Sequence, residues 1–165
     1  MKKLLIACTL ASLTGLAVAD TNLRLEPHFT VFGSLSGGAD FYLDEHNAIG
    51  VNLFSTSDRG KLGLRYTKHW QLESSNNWLM VIDANAIVYE GEWVEATNET
   101  PTKVAGELRA MQQYRWQWSS GFNTTLGLGA FAIIDPEGEY DSWYTGSGSP
   151  LPVYGLGEWS VGWRF

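Results

Sequence analysis

Long stretches of strict alternation are the feature of this sequence that most limits its fold. In GELRAMQQYRWQW (106–118), the positions from Leu108 to Trp118 in steps of two are mainly apolar or aromatic, and those from Glu107 to Gln117 are mainly polar. A period of two places successive side chains on opposite faces of a β-strand, whereas a helix needs a period near 3.6. The sequence therefore predicts β-strands that have one apolar face and one polar face.

The same alternation divides the chain into eight predicted strands, at 29–35, 39–45, 48–56, 61–70, 78–90, 106–118, 122–134 and 153–165. Segment 39–45 is short, so whether it pairs as a strand is left open. Several segments have ten to thirteen residues, which exceeds the usual globular strand and approaches the length that a tilted membrane strand needs. The stretches 91–105 and 135–152 are predicted loops because they are rich in Gly, Pro, Ser and acidic residues.

The first 19 residues have the pattern of an export signal. Two lysines precede the apolar run LLIACTLASLTGLAV, and AVAD supplies a small-residue cleavage site after Ala19. We therefore expect a signal peptide at 1–19 and one domain at 20–165. A permanent membrane helix and a lipoprotein modified at Cys8 are the alternatives. The run is short for the first, and too few residues precede Cys8 for the second.

Removal of this signal would leave an acidic chain without cysteine. Lys2, Lys3 and Cys8 lie within it, so the remaining chain would contain nine Lys and Arg and all 18 Asp and Glu. Nucleic-acid binding needs clusters of basic residues, and disulfides need cysteine. We expect no nucleic-acid partner and no thiol chemistry.

Two exported β architectures fit the alternation. A soluble sandwich hides its apolar faces between two sheets, whereas a membrane barrel turns them to lipid and fills its interior with polar side chains. A barrel with an even strand count and a periplasmic C-terminus puts loops 91–105 and 135–152 outside and turns 71–77 and 119–121 in the periplasm. This separation of long and short connections favours the barrel.

The positions of the aromatic residues also favour a barrel. On this topology seven of them lie on the apolar face at periplasmic strand ends, where rings gather at a lipid–water interface. This expected girdle comprises Trp70, Trp78, Trp116, Trp118, Phe122, Trp163 and Phe165. A looser group at the opposite end comprises Tyr89, Trp93, Tyr140, Trp143 and Tyr144.

The last strand carries the most specific pattern. Trp159, Val161, Trp163 and the final Phe165 alternate through SVGWRF. In this pattern the chain resembles the small eight-stranded outer-membrane β-barrels of Gram-negative bacteria, over the whole mature chain but without a named subfamily. The resemblance implies an antiparallel transmembrane barrel surrounded by outer-membrane lipids and lipopolysaccharide. It also implies a terminal strand that closes against strand one and is read by the outer-membrane assembly machinery.

The polar strand faces predict a charged network inside the barrel, formed by Arg65, Asp83, Glu107, Arg109, Arg115, Glu158 and Arg164. Arg65 and Asp83 lie at similar depth on adjacent strands, so we expect them to pair. An eight-stranded barrel is just wide enough for side chains to fill it. A network that satisfies buried charges is therefore favoured over a narrow polar pathway or ligand pocket.

The sequence offers no convincing catalytic residue, metal ligand set or cofactor site. His28 and His69 are placed near periplasmic strand ends, and His46 in a polar turn beside Asp44 and Glu45. No two histidines have metal-ligand spacing, and neither GxSxG nor HExxH occurs.

We therefore expect a monomeric, porin-like outer-membrane barrel with a non-enzymatic role in envelope integrity, surface interaction or minor permeation. A barrel enzyme acting on envelope lipids such as lipid A is the alternative. A soluble exported β-sandwich that acts as a binding module is a further one.

Overall fold

The computed structural model describes residues 20–27, 33–70, 76–91, 98, 100–135 and 153–165. Each strand pairs antiparallel with its neighbours in sequence, and the last strand pairs with the first, so the sheet closes into one barrel. The predicted eight-stranded antiparallel barrel is confirmed, and the two stacked sheets of a sandwich are not what the chain forms. The strands are β1 (Thr21–Leu25), β2 (Leu35–Tyr42), β3 (Asn47–Ser55), β4 (Arg59–His69), β5 (Asn76–Glu90), β6 (Thr102–Gln117), β7 (Phe122–Ile134) and β8 (Val153–Arg164).

The strands are staggered as they pass around the barrel. Followed from Leu23 through the seven successive strand pairs, the register arrives at Val153, whereas β8 itself pairs Leu23 with Trp163. The two positions are ten residues apart on β8. Such a stagger tilts the strands and gives an eight-stranded barrel an interior that side chains can fill.

The start of the barrel differs from the sequence prediction. The first strand is Thr21–Leu25, not 29–35: positions 28–32 lie outside the described residues, and Gly33 is in a turn. Segment 39–45 contributes only its first four residues to β2, which begins at Leu35. β1 has only two outward apolar positions, Leu23 and Leu25, so its alternation is too brief to stand out.

The barrel has two distinct ends. The terminal end carries the chain at Asp20 and Phe165 and the turns 43–46 and 118–121. At the loop end, β1, β3, β5 and β7 end and β2, β4, β6 and β8 begin. The strands that flank the two predicted long loops therefore meet at one end. The short turn 56–58 lies at that end too, so connection length alone does not separate the ends.

Polarity is inverted relative to a water-soluble domain. Among the described residues, 23 large hydrophobic side chains are exposed, and the buried set holds 20 polar or charged residues against 12 apolar ones. Soluble proteins almost never bury charged residues unless they are paired. Within the described part of the chain, no helix is long and apolar enough to cross a membrane.

Candidate functional site: the barrel interior

Arg65 is the centre of the interior network. Its Nε donates to Asp83 Oδ1 at 2.7 Å and its Nη2 to Asp83 Oδ2 at 2.9 Å, which is the pairing expected from the sequence. Arg65 Nη2 also donates to Glu158 Oε2, at 3.1 Å, across the barrel from β4 to β8. Gln113 Nε2 donates to Glu158 Oε1 at 2.9 Å. Bidentate, charge-assisted bonds of this kind are strong and fix geometry.

Glu107 forms a second centre nearer the loop end. It accepts bonds from Arg109 Nε at 2.6 Å, Lys61 Nζ at 3.2 Å and Asn85 Nδ2 at 2.9 Å. Arg109 Nη1 also lies 3.9 Å from Glu158 Oε2. The two centres therefore form one connected network.

Arg24 and Asp40 form a third centre nearer the terminal end. Arg24 Nε donates to Asp40 Oδ2 at 2.8 Å and its Nη2 to Asn52 Oδ1 at 2.7 Å. Arg115 Nη2 lies 3.9 Å from Asp40 Oδ2, and Arg115 Nη1 donates to the Tyr42 hydroxyl at 2.5 Å. Of the predicted network residues, Arg109 therefore belongs to the Glu107 centre and Arg115 to the Arg24–Asp40 centre.

Arg164 occupies the terminal mouth rather than the interior. Its guanidinium pairs with the carboxylate of Asp20 and lies 4.1 Å from the centre of the Tyr42 ring. Its side chain is 22% exposed, whereas those of Arg65, Glu158 and Arg115 are at most 3% exposed. An ion pair between Asp20, which directly precedes β1, and Arg164, the last residue of β8, thereby covers this mouth of the barrel.

The interior charges balance. In the described interior, the ion pairs join five basic side chains with five acidic ones: Arg24, Lys61, Arg65, Arg109 and Arg115 with Glu26, Asp40, Asp83, Glu107 and Glu158. An unpaired charge in this setting would be very unfavourable, and with equal numbers of basic and acidic side chains each charge has a partner of opposite sign. A filled, neutral interior of this kind leaves little space for a solute.

Inward-facing glycines make room for the long side chains. Gly38 is the cross-strand partner of Arg24, and Gly50 is that of Asp40. A Cβ added to Gly38 would lie 2.9 Å from Arg24 Nη2, and one added to Gly50 would lie 2.6 Å from Asp40 Oδ1. The same relation holds for Gly63 with Asn85, Gly127 with Gln113, Gly129 with Met111 and Gly162 with Asn123. Small residues opposite large ones let the interior fill without clashes.

Sequence reasoning missed four charged members of this network: Arg24, Glu26, Asp40 and Lys61. The first two were missed because β1 was assigned to the wrong segment. The stretch TNLRLE does alternate, with Asn22, Arg24 and Glu26 buried and Leu23 and Leu25 exposed. This brief alternation was the available signal.

The interior is also less polar than predicted. Leu79, Val81, Met111, Phe131, Ile133 and Leu156 form a buried apolar cluster inside the barrel, and Ile87, Tyr89 and Ala105 form another. Tyr89 therefore faces inward and donates to Asp135 Oδ2 at 3.2 Å, rather than joining an outer aromatic group. The other four members of that group lie outside the described residues.

His46 and His69 are neighbours through the backbone, where the His69 amide donates to the His46 carbonyl oxygen at 2.6 Å. His28 lies outside the described residues, and His46 is in the exposed turn 43–46. His69 is buried at the terminal end, with its ring centre 5.1 Å from that of Tyr42. Among the described residues, its ring nitrogens bond no hydroxyl or carboxylate, and no group of three His, Cys, Asp or Glu could hold a metal ion.

The seven predicted girdle residues all lie on the outer surface at the terminal end, between 37% and 72% exposed. Neighbouring rings touch: the ring centres of Trp118 and Phe122 are 5.3 Å apart, and those of Phe122 and Trp163 are 6.2 Å apart. Tyr114 lies between Trp78 and Trp116, with its ring centre 5.0 Å and 4.8 Å from theirs. The result is a band of rings at one level of the barrel.

No family model, curated protein or solved structure matches this chain.

Proposed function

We propose that this protein is an outer-membrane β-barrel without an open pore, which acts through its surface in envelope integrity or surface interaction. The first 19 residues would direct export, and the final strand would be read by the assembly machinery. The barrel would be a monomer surrounded by lipid. The resemblance to small Gram-negative barrels belongs to this proposal.

The observation that carries the proposal is the inverted polarity of the closed barrel. Exposed leucines, valines and tryptophans cover the outside, while paired charges and two apolar clusters fill the inside. In water, such an outer surface would form an apolar patch far larger than soluble monomers expose. In a bilayer the same surface is favourable, because the closed sheet leaves no unpaired strand edge and apolar residues contact hydrocarbon.

The packed interior is the reason that we propose no pore. Arg65 reaches from β4 to both Asp83 on β5 and Glu158 on β8, so its side chain crosses the middle of the lumen. Arg109 and Glu107 occupy the level above it, and Arg24 and Asp40 the level below. A solute would have to displace these ion pairs one after another.

Fractionation and conductance together test this proposal. We expect the protein in the outer-membrane fraction, with a gel mobility that changes on boiling, and we expect no channel steps in a planar lipid bilayer. Recovery as a detergent-free soluble protein would overturn the membrane placement. Stable conductance steps would overturn the closed lumen. A reproducible mass change in labelled lipopolysaccharide would overturn the non-enzymatic role.

A further inference from the structure

A groove crosses the outer face of the barrel from β1 to β5. Along one row of the sheet, Gly37 lies between Leu25 on β1 and Leu53 on β3. Gly37 has no side chain, so the floor of the row is backbone here, and Leu25 leans over it: its Cδ2 would lie only 3.2 Å from a Cβ added to Gly37. The row continues through Leu62 to Ala86, another small residue.

The groove is large enough for part of a ligand and is almost wholly apolar. Its volume is about 400 Å³, within the range of about 300–1,000 Å³ typical of small-molecule sites. Of the four residues with polar side chains along it, three point away from it and the fourth, Ser55, donates to the Thr56 carbonyl oxygen at 3.5 Å. Arg24 bonds Asp40, Ser36 donates to Glu26 at 2.7 Å, and Lys61 donates to Glu107, all inside the barrel.

The apolar character of the lining limits the occupant to hydrocarbon. A phosphate, sugar or peptide backbone would lose its hydrogen bonds to water here without gaining others, which is unfavourable. An aliphatic chain gains dispersion contacts with the groove walls and has no polar groups to satisfy.

The groove is too small to form, on its own, a stable interface with a second copy of the chain. Sixteen residues line the groove, and some of them, such as Arg24 and Lys61, direct their side chains into the barrel. Stable protein interfaces use roughly 20–30 residues on each side and bury about 800 Å² per partner. The groove on its own falls short of this requirement.

We propose that this groove binds one acyl chain of a bilayer lipid. The inference rests on the proposed membrane placement and deepens it, because it identifies a specific lipid contact on the proposed lipid-facing surface. The groove lies on the loop-end side of the girdle, since Leu25 is the last residue of β1 and Val88 is two residues from the end of β5. The lipid would therefore come from the leaflet at the loop end.

The test compares two tryptophan substitutions on β5. Ala86 and Ala84 both face outward and are exposed, but only Ala86 lines the groove. Wild type, Ala86→Trp and Ala84→Trp are inserted into phosphatidylethanolamine–phosphatidylglycerol vesicles, extracted in mild detergent and weighed by native mass spectrometry. We expect one retained phospholipid per wild-type barrel and per Ala84→Trp barrel. We expect roughly tenfold lower occupancy in Ala86→Trp, the effect of displacing two buried methylene groups.

Folding is checked by the change in gel mobility on boiling, and Ala86→Leu replaces the tryptophan variant if that variant fails to fold. Equal occupancy in all folded variants would overturn the acyl-chain site and leave the proposed membrane barrel standing. A dimer mass that Ala86→Trp abolishes would overturn it in favour of a second copy. Failure of the wild type to insert into vesicles would overturn both proposals.

Discussion

Strands β1 to β4 have 5 to 11 residues each, whereas β5 to β8 have 12 to 16. Every member of the two buried apolar clusters comes from the longer half. Most of the girdle also lies there, with Trp70 as the one member beside β4. The shorter half faces inward mainly with polar side chains such as Arg24, Asp40 and Asn52.

This difference teaches how one small barrel combines two ways of filling its interior. The longer half packs apolar side chains against one another. Such contacts need complementary shapes and buried apolar area, but no specific bonding partners. The shorter half has little apolar inner surface, and its hydrogen-bonded charges must be satisfied by specific partners. Arg65 joins the halves, since it belongs to β4 and bonds residues of β5 and β8.

Removal of Arg65 should have the largest effect on stability. Arg65→Met leaves the buried carboxylates of Asp83 and Glu158 without their main counter-charge, and breaking a buried pair costs about 3–5 kcal/mol. Urea unfolding of the barrel in lipid vesicles would measure the free energy of unfolding. A loss below about 1 kcal/mol, the range of exposed pairs, would show that the halves do not depend on this residue.

A charge swap tests the pairing itself. Arg65→Asp should destabilise the barrel strongly, and Arg65→Asp with Asp83→Arg should regain part of the loss, because the two charges again face each other. Glu158 limits the recovery, since its carboxylate would then lie near a second carboxylate at position 65 in place of a guanidinium. Equal damage in the single and double variants would argue against the Arg65–Asp83 partnership.

Loss of apolar packing in the longer half should have the next largest effect. Leu79 is fully buried in the larger apolar cluster, so Leu79→Ala should cost about 2–5 kcal/mol through lost contacts and a cavity. Leu64→Ala is the matched control, because Leu64 is 69% exposed on the outer face and lipid can fill the space. Equal losses in the two variants, in the same urea assay, would mean that the inner cluster is not packed as described.

A methyl group added inside the shorter half should have a smaller effect. In Gly38→Ala the new Cβ would clash with Val51 O and lie 2.9 Å from Arg24 Nη2, so the backbone and the Arg24–Asp40 pair must shift. Overpacking of this kind costs about 1–3 kcal/mol. Gly157→Ala, whose nearest neighbour would be Leu128 Cδ2 at 3.9 Å, should be nearly neutral. A tolerated Gly38→Ala would contradict the tight fit of the shorter half.

The smallest expected effect concerns acid pH and the turn 43–46 of the shorter half. Hydrogen bonds from the Asn47 side chain and the His46 amide hold the pKa of Asp44 below its ordinary value of 3.8. Because the folded pKa is the lower one, this carboxylate stabilises the turn above pH 3.8, and the contribution is lost as the pH falls through the folded pKa. Asp44→Asn should abolish that change, measured as amide exchange of residues 43–47 between about pH 6 and pH 3, a range that spans the start of this loss. The turn 118–121 of the longer half, which has no carboxylate, is the internal control.

The longer half was the part that could be predicted from the sequence. Predicted segments 78–90 and 122–134 match β5 and β7 to within two residues. Over thirteen or more positions, one residue that departs from the alternation does not obscure the pattern. The depth of Arg65 and Asp83 could be counted from the predicted strand ends, so their pairing was accessible too. In a long uninterrupted strand, the alternation of its two faces specifies the register with the neighbouring strand.

The shorter half could not be predicted to the same extent. β2 reads LSGGADFY, and its glycines have no hydropathy to contribute to a pattern. The partners of Arg24 lie on β2 and β3, so its role depends on a register that a five-residue strand does not reveal.

One feature of the longer half could not be predicted either. The inward direction of the leucine and valine of β5 does not follow from the sequence, because that strand is apolar on both faces over part of its length.

The central claim is that the strand faces carrying most of the apolar side chains point outward into hydrocarbon, while those carrying the charged network point inward. The most direct test is a spin-label scan of β6 in vesicles, with single cysteines at each position from Glu107 to Trp116. Contact of the label with lipid-dissolved oxygen should alternate, high at Leu108, Ala110 and Gln112 and low at Arg109, Met111 and Gln113. An alternation of the opposite phase, or labels that all contact water in a protein that needs no lipid, would contradict the account.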